Sequence, residues 1–314
     1  MRAFAASLGV LVLSAATAAA AVDPALLALV MPEARIVTGI QVDQSKSSRF
    51  GQFVLSQITD NEDLKKFVSD SGFDPRRDLR EIVVATTGLD AHGALVIGRG
   101  VFPKDRILQV AKSNGGVASL YRGFDLVSAT DASSLATLAF LDSNTALVGD
   151  AATVKAAIDR KMSGSAGLSA QLSAKAQETG AQNDAWFVTL APLSEFLGGK
   201  MGDAQLGGAM QGNLLEKVKQ ASGGVKFGGA DVGVGFEAVT PTDKDASALA
   251  DVLRFLASMM QSNQNSNDPK TAKAASLAEK MKLSTTANVM KLSLSIPEAD
   301  LERMFLPRPK PKAN

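Results

Sequence analysis

One feature constrains the fold of this 314-residue chain more than any other: the same order of strand and helix patterns occurs twice. Each occurrence begins with a short apolar strand, at residues 35–42 and 186–190. Helices with an apolar period near 3.6 residues then alternate with hairpins until a final helix. Several short strands that bury one face against several helices are typical of an α+β protein.

The two occurrences also share a proline where a helix begins. It stands in Val101-Phe-Pro103 and in Val239-Thr-Pro241, and proline suits this place because its missing amide hydrogen would have no partner in the first turn. We predict internal duplication of a strand-helix-hairpin-helix-hairpin-helix unit in residues 22–161 and 184–306. A chance agreement of common elements is the alternative. Hairpins outnumber crossovers, which predicts a mainly antiparallel sheet with helices on one face.

Two segments lie outside these halves. Residues 162–183 are rich in Ser, Ala, Gly and Gln without a strong period, which predicts a linker that carries at most one surface helix. Residues 307–314 alternate proline with Arg308, Lys310 and Lys312. Alternating prolines remove backbone donors, so this tail should be extended and solvated.

The N-terminus has the pattern of an export signal. Arg2 precedes an apolar run, and small residues end at Ala21; this order predicts a signal peptide over residues 1–21 and a periplasmic or secreted protein. An uncleaved anchor is the alternative, but the apolar run is shorter than the roughly 20 residues that a spanning helix needs. We expect no transmembrane segment in the mature chain.

Charge argues against one class of partner. Lys and Arg number 33 against 32 Asp and Glu, and Arg2 is the only charged residue of the signal. A mature chain without a basic excess lacks the electrostatic attraction that drives nonspecific nucleic-acid binding. We therefore expect no nucleic acid among the partners, and an unknown envelope ligand or protein instead.

Reactive residues are scarce. The chain has no cysteine and one histidine, His92, so a thiolate or multi-histidine metal site is impossible and a Ser-His-Asp triad would have to use His92. No Ser-x-x-Lys or Gly-x-Ser-x-Gly motif is present. We predict no catalytic residue, metal or cofactor. Carboxylate pairs such as Asp243 and Asp245 leave a carboxylate-dependent hydrolase as an alternative.

A dense charge cluster supplies the first candidate binding residues. Arg76, Arg77 and Arg80 follow one another closely, and guanidinium groups could clamp a carboxylate or phosphate. The alternative is local: Asp74 caps a turn, and Arg77 pairs with Asp78.

Glycine and methionine supply the other candidates. Gly233 and Gly235 alternate with valine, which would leave one sheet face bare for a ligand, or for a packed helix or a bulge. The glycine-rich segment 198–212 carries Met201 and Met210, and it could form a flap or binding surface or a disordered loop.

Three stretches resemble a group of uncharacterised exported proteins of soil bacteria. They are the segment from Leu29-Val-Met-Pro-Glu-Ala34 to Val42, Gly72-Phe-Asp-Pro-Arg-Arg-Asp-Leu-Arg-Glu-Ile82, and Phe140-Leu-Asp-Ser-Asn-Thr-Ala-Leu-Val-Gly-Asp150. The resemblance covers most of the mature chain and implies export and a shared fold. The group has no assigned activity, so no functional residue is implied.

These patterns favour an exported, non-catalytic binding or interaction protein of unknown ligand. A carboxylate-dependent hydrolase and a structural envelope protein are the alternatives. The binding interpretation rests on the absence of catalytic motifs from the sequence, and the hydrolase alternative rests on its dispersed carboxylates.

Overall fold

The computed structural model describes residues 22–53, 62–88, 93–130, 136–192, 214–228, 230–262 and 269–305. The strands are β1 (Ile36–Gln41), β2 (Leu79–Thr86), β3 (Leu95–Gly100), β4 (Val117–Tyr121), β5 (Phe124–Ser128), β6 (Thr137–Phe140), β7 (Thr145–Gly149), β8 (Ala185–Thr189), β9 (Gln220–Phe227), β10 (Asp231–Val239), β11 (Lys282–Thr286) and β12 (Val289–Pro297). The helices are α1 (Pro24–Leu27), α2 (Val42–Ser45), α3 (Glu62–Ser71), α4 (Pro75–Asp78), α5 (Lys104–Ser113), α6 (Ala151–Ser163), α7 (Ala170–Gln182), α8 (Leu214–Lys217), α9 (Asp243–Ser262), α10 (Pro269–Lys280) and α11 (Glu298–Phe305).

All the strands belong to one 12-stranded sheet in the order β11-β12-β10-β9-β8-β1-β2-β3-β7-β6-β5-β4. Every neighbouring pair is antiparallel. The α+β class and the antiparallel sheet are therefore confirmed. Within the part of the chain that the structure describes, no helix combines the length and the apolarity that a membrane crossing requires.

The order of pairing is the same on both sides of the sheet centre. Outward from β1 the order is β1-β2-β3-β7-β6, and outward from β8 it is β8-β9-β10-β12-β11. The hairpin β4–β5 extends the first side, at the place in the chain where the second side has helix α10. The two sides meet where β1 pairs with β8. This shared topology leaves duplication as a prediction, because it concerns connectivity and not common origin.

The first half has helices on both faces of the sheet. On one face Val83, Ile97 and Leu147 pack in the main core with residues of α1, α6 and α7. On the other face Ala146 and Phe140 pack with residues of α5. Because Ala146 and Leu147 are neighbours on β7, their side chains point to opposite faces. The expected single helical face is therefore wrong for this half: strands that are apolar on both faces need cover on both.

In the second half, helices α9 and α11 cover one face of the sheet, and on the opposite face α7 covers only β8 and part of β9. Leu249 of α9 packs with Met290 of β12 in one apolar cluster, and Leu301 of α11 packs with Ile296 in another. The opposite face of β9, β10, β11 and β12 is polar, and no described helix lies over its centre.

The segment predicted as a linker is part of the core. Helix α7 fills most of residues 162–183, with Leu172 and Ala176 buried against the sheet. A Cβ on Gly180 would lie 2.4 Å from the Val22 side chain and 3.0 Å from Trp186. Small residues allow this close approach, and they also weaken the apolar period by which a core helix is recognised.

Candidate functional site

A groove lies over the polar face of β9, β10, β11 and β12 and holds a volume of about 520 Å³. We call it the sheet groove. Gly233 and Gly235 form its floor, since Gly235 pairs with Gly224 of β9 and with Ser293 of β12. The side chains of paired residues share a face of the sheet. The bare face predicted at Gly233 and Gly235 is therefore present, and it opens into a groove.

Close packing does not require glycine at either position of the floor, 233 or 235. A Cβ on Gly235 would meet no heavy atom within 4 Å, and one on Gly233 would come no nearer than 3.8 Å, to the Cβ of Lys226. Neither lies in the region of positive φ. The alternative of a packed helix over these glycines does not hold in the described structure, and their effect is to keep the floor low and open.

Helix α7 forms one wall of the groove and ends the covered part of the sheet. A Cβ on Gly224 would lie 2.5 Å from the Asn183 side chain, which directly follows α7. Lys175 and Glu178 project from the same helix into the groove lining. Helix α7 covers β8, and the open floor of the groove begins beside this helix.

Lysine dominates the charged lining. Five lysines and two glutamates line the sheet groove: Lys175, Lys226, Lys280, Lys282, Lys291, Glu178 and Glu237. They come from one helix wall, the end of α10 and all four strands, so distant parts of the sequence contribute to one basic surface. This local excess exists although the whole chain is nearly neutral.

Several of these lysines hold ion pairs at the edge of the groove. Glu237 lies 2.7 Å from the amine of Lys175 and 3.2 Å from that of Lys291. The amine of Lys226 lies 2.6 Å from Asp184, whose side chain is only 2% exposed. Among the described residues no carboxylate lies within 4.0 Å of the Lys282 amine, so its charge is available to a ligand.

The electrostatics keep Glu237 ionised. Burial alone would raise its pKa, but the hydrogen bonds from Lys175 and Lys291 and their positive charges outweigh burial, so the pKa is lowered from its ordinary value. For Lys175, burial acts to lower the pKa, and the bonds to Glu237 and Glu178 outweigh it and raise the pKa. A carboxylate held in this way by two ammonium groups is a poor proton donor near neutral pH.

The three predicted arginines do not converge on one ligand. Asp74 caps α4 and lies 2.8 Å from Arg76, and Arg77 lies 2.6 Å from Asp78. The hydrogen bonds from the arginines lower the pKa of both aspartates. The expected clamp of Arg76, Arg77 and Arg80 is therefore wrong, and the local pairing that was its alternative is what the structure shows.

Arg80 points elsewhere. It occupies a bulge in the pairing of β2 with β3, where the register shifts between Leu79 and Glu81. There it lines a second cavity together with Arg99 and Lys161. Its neighbours in this cavity come from β3 and α6, which are distant in the sequence, so the local run of arginines does not indicate them.

Other predicted features lie outside the described residues. These are the signal peptide, His92, Met201 and Met210 with their glycine-rich segment, and the proline-rich tail. Of the predicted carboxylate pair, Asp245 bonds with Thr242 and with Lys217 at the start of α9, which is the geometry of a helix cap. Across the described ranges, no three His, Cys, Asp or Glu side chains group as metal ligands would.

Comparisons with known proteins show a shared fold. No protein-family model and no curated protein sequence matches the chain. The structure is similar to that of TP0453, in its crystal form III with a TM-score of 0.50 and in its crystal form IV with a TM-score of 0.52. Identity is 10% in both, and the match covers 88% of this chain and 96% and 95% of the two TP0453 chains.

Proposed function

We propose that this protein is an exported, non-catalytic binding protein of the cell envelope that holds an extended anionic ligand in the sheet groove. The observation that carries the proposal is the ring of five lysines around a glycine floor that no described helix covers. The sequence predicts a binding role, and the fold contains a groove in which a ligand could bind.

The charged side chains that line the groove indicate a ligand with negative charge. Five lysines line the groove, and four carboxylates pair with all of them except Lys282, which leaves a net positive charge. These carboxylates are Glu178, Glu237, Asp184 and Asp300. An ammonium group is a compact, strongly hydrated charge that attracts carboxylates and phosphates without demanding one geometry. A flexible polyanion with repeated charges fits such a surface.

The shape of the ligand follows from the floor. Four neighbouring strands at about 4.8 Å spacing make the floor about 14 Å wide, and polar Ser293 and Ser295 lie beside the glycines on it. Enclosed sites for small molecules are mostly apolar and surround the ligand. A wide, polar and open floor suits a chain of polar units, such as an acidic polysaccharide, that extends past the edges of the groove.

The alternative of a hydrolase finds less support. Glu237 lies on β10, the strand that carries the floor glycines, and its two lysine partners hold it ionised. General acid catalysis of glycoside cleavage needs a carboxyl group that retains its proton.

Export remains part of the proposal. The signal pattern of residues 1–21 and the resemblance to exported proteins of soil bacteria support it. We also propose that the two halves arose by duplication, which the matching order of strand pairing supports.

A binding assay tests the groove. We expect a fluorescently labelled alginate oligosaccharide, a polymer of uronic acids, to bind the mature protein, and a neutral dextran of similar length not to bind. Lys282→Ala combined with Lys291→Ala should weaken binding about threefold to tenfold, which corresponds to about 0.3–0.7 kcal/mol for each exposed charge. Added salt should weaken it further. Fluorescence anisotropy measures each dissociation constant.

Two variants serve as controls. Lys104→Ala combined with Lys112→Ala removes two exposed lysines from α5 and should leave affinity unchanged. Gly235→Leu adds bulk to the floor without changing charge and should weaken binding. Equal binding of dextran, or an equal loss in the α5 variant, would overturn the proposal. Shortening of the alginate by the wild-type protein would favour the hydrolase instead.

A further inference from the structure

A second cavity of about 550 Å³ lies in the first half of the sheet, where β2 and β7 begin and β3 ends, and we call it the end cavity. Its charged lining comprises Arg80, Arg99, Lys161 and one acid, Asp142. It shares no lining residue with the sheet groove. The two sites are therefore separate, although both lie on the face of the sheet that carries α7.

Local structure brings the three cations together. Arg99 lies on β3 opposite Thr145, and the bulge beside Glu81 places Arg80 next to it. Lys161 stands in the last turn of α6, which packs over the same strands.

The protein leaves much of this positive charge unmatched. Within the described ranges, Arg80 and Lys161 have no carboxylate at ion-pair distance. Arg99 lies 2.7 Å from Asp23, yet its buried Nε has no hydrogen-bond partner among the described atoms.

The remaining lining is suited to an oxyanion on a small body. Asp142 is occupied in its own turn, where it accepts a hydrogen bond of 2.7 Å from the backbone amide of Asn144. Leu26, Leu29 and Leu141 contribute an apolar wall. Two guanidinium groups and one ammonium exceed what a single carboxylate needs, whereas phosphate has more oxygens and a higher charge.

We infer that the end cavity is a binding site for a phosphate group, held by Arg80, Arg99 and Lys161. The site goes beyond the proposed groove function, because neither its residues nor its ligand overlap with those of the groove. Arg80 and Lys161 are exposed and supply the unpaired charge, whereas the ion pair with Asp23 fixes the position of the Arg99 guanidinium group and offsets its charge.

Calorimetric titration of the mature protein tests the inference. The probes are inorganic phosphate, phenyl phosphate and benzoate, at constant ionic strength in chloride buffer. We expect both phosphates to bind more tightly than benzoate. Tighter binding of phenyl phosphate identifies a phosphate ester as the ligand, and tighter binding of inorganic phosphate identifies free phosphate. Stronger binding of benzoate than of either phosphate overturns the inference.

Matched variants locate the site. Arg80→Ala and Lys161→Ala should each weaken phosphate binding by about tenfold, as expected for the loss of a charge-assisted hydrogen bond. Arg76→Ala removes an exposed arginine four residues away that is paired with Asp74, and it should change nothing. Lys104→Ala removes an exposed lysine of α5 that lines neither the end cavity nor the sheet groove, and it should also change nothing. An undiminished affinity in Arg80→Ala and Lys161→Ala, or an equal loss in Arg76→Ala, contradicts the inference.

Discussion

The two halves of the sheet differ in whether helices cover the face that carries α7. In the first half, Ile97 and Leu147 pair across β3 and β7, and both are fully buried beneath helices. In the corresponding pair of the second half, Gly235 lies opposite Ser293 across β10 and β12, and the face is open. A shared order of strand pairing thus supports a packed core on one side and a polar floor on the other. The side chains, and not the topology, decide which face is available for binding.

The largest expected difference between the halves is in core packing. Leu147→Ala should lower the free energy of unfolding by about 2–5 kcal/mol, because it removes buried methyl groups and leaves a cavity. Ser293→Ala, on the exposed face, should change it by no more than about 0.5 kcal/mol. Urea denaturation measures both. A loss at Ser293 as large as that at Leu147 would show that the second face is packed and not open.

Glycine substitutions should show the next largest difference. A Cβ on Gly39 would lie 2.4 Å from the ring of Trp186, whereas one on Gly235 would meet nothing within 4 Å. Gly39→Ala should therefore destabilise the protein by about 1–3 kcal/mol through overpacking. Gly235→Ala should be close to neutral. Thermal and urea unfolding of the two variants side by side test this. Equal losses of stability would show that packing constrains Gly39 no more than Gly235.

The smallest expected difference concerns two glutamates and pH. The pKa of Glu237 in the second half is lowered, because its lysine partners outweigh burial. Its ionised form stabilises the fold above the unfolded pKa, and this stabilisation is lost as pH falls through the folded pKa. Glu237→Gln should cost about 0.5–1 kcal/mol at neutral pH, and the cost should disappear in acid.

Glu81 in the first half should respond with the opposite sign. Burial raises its pKa, and the nearby carboxylate of Asp23 adds to the effect. Its ionised form therefore costs stability above the folded pKa, and that cost is relieved as pH falls through it. Glu81→Gln should leave stability unchanged or higher at neutral pH, with the gain fading in acid. Urea unfolding of both variants across the acid range measures this, and the same sign of change in both would contradict the assignment.

Local signals in the sequence predict much of the fold. The Arg122-Gly123 turn joins β4 and β5, and both residues have positive φ, as a tight hairpin requires. Asp150 caps α6 and Thr242 caps the start of α9, and Asp and Thr are among the residues that N-cap positions favour. These features depend on a few neighbouring residues, so the sequence displays them directly.

Features that depend on distant residues are not visible in this way. Helix α7 has too few large apolar residues to show a period, and its place in the core follows from close contact at Gly180. Gly233 and Gly235 were recognisable as a bare face. The lysines around them were not, because Lys175, Lys226 and Lys282 meet only through the order of the strands.

The pairing of β1 with β8 has a mechanical consequence. Five residue pairs, from Ile36 with Thr189 to Ile40 with Ala185, join the halves in one continuous backbone ladder. Bending at this seam would break that ladder, so the halves cannot close over a ligand as two lobes on a hinge do. Capture in the groove would then need no closing step, and the lifetime of the complex would depend on the strength of its contacts and on the surrounding salt.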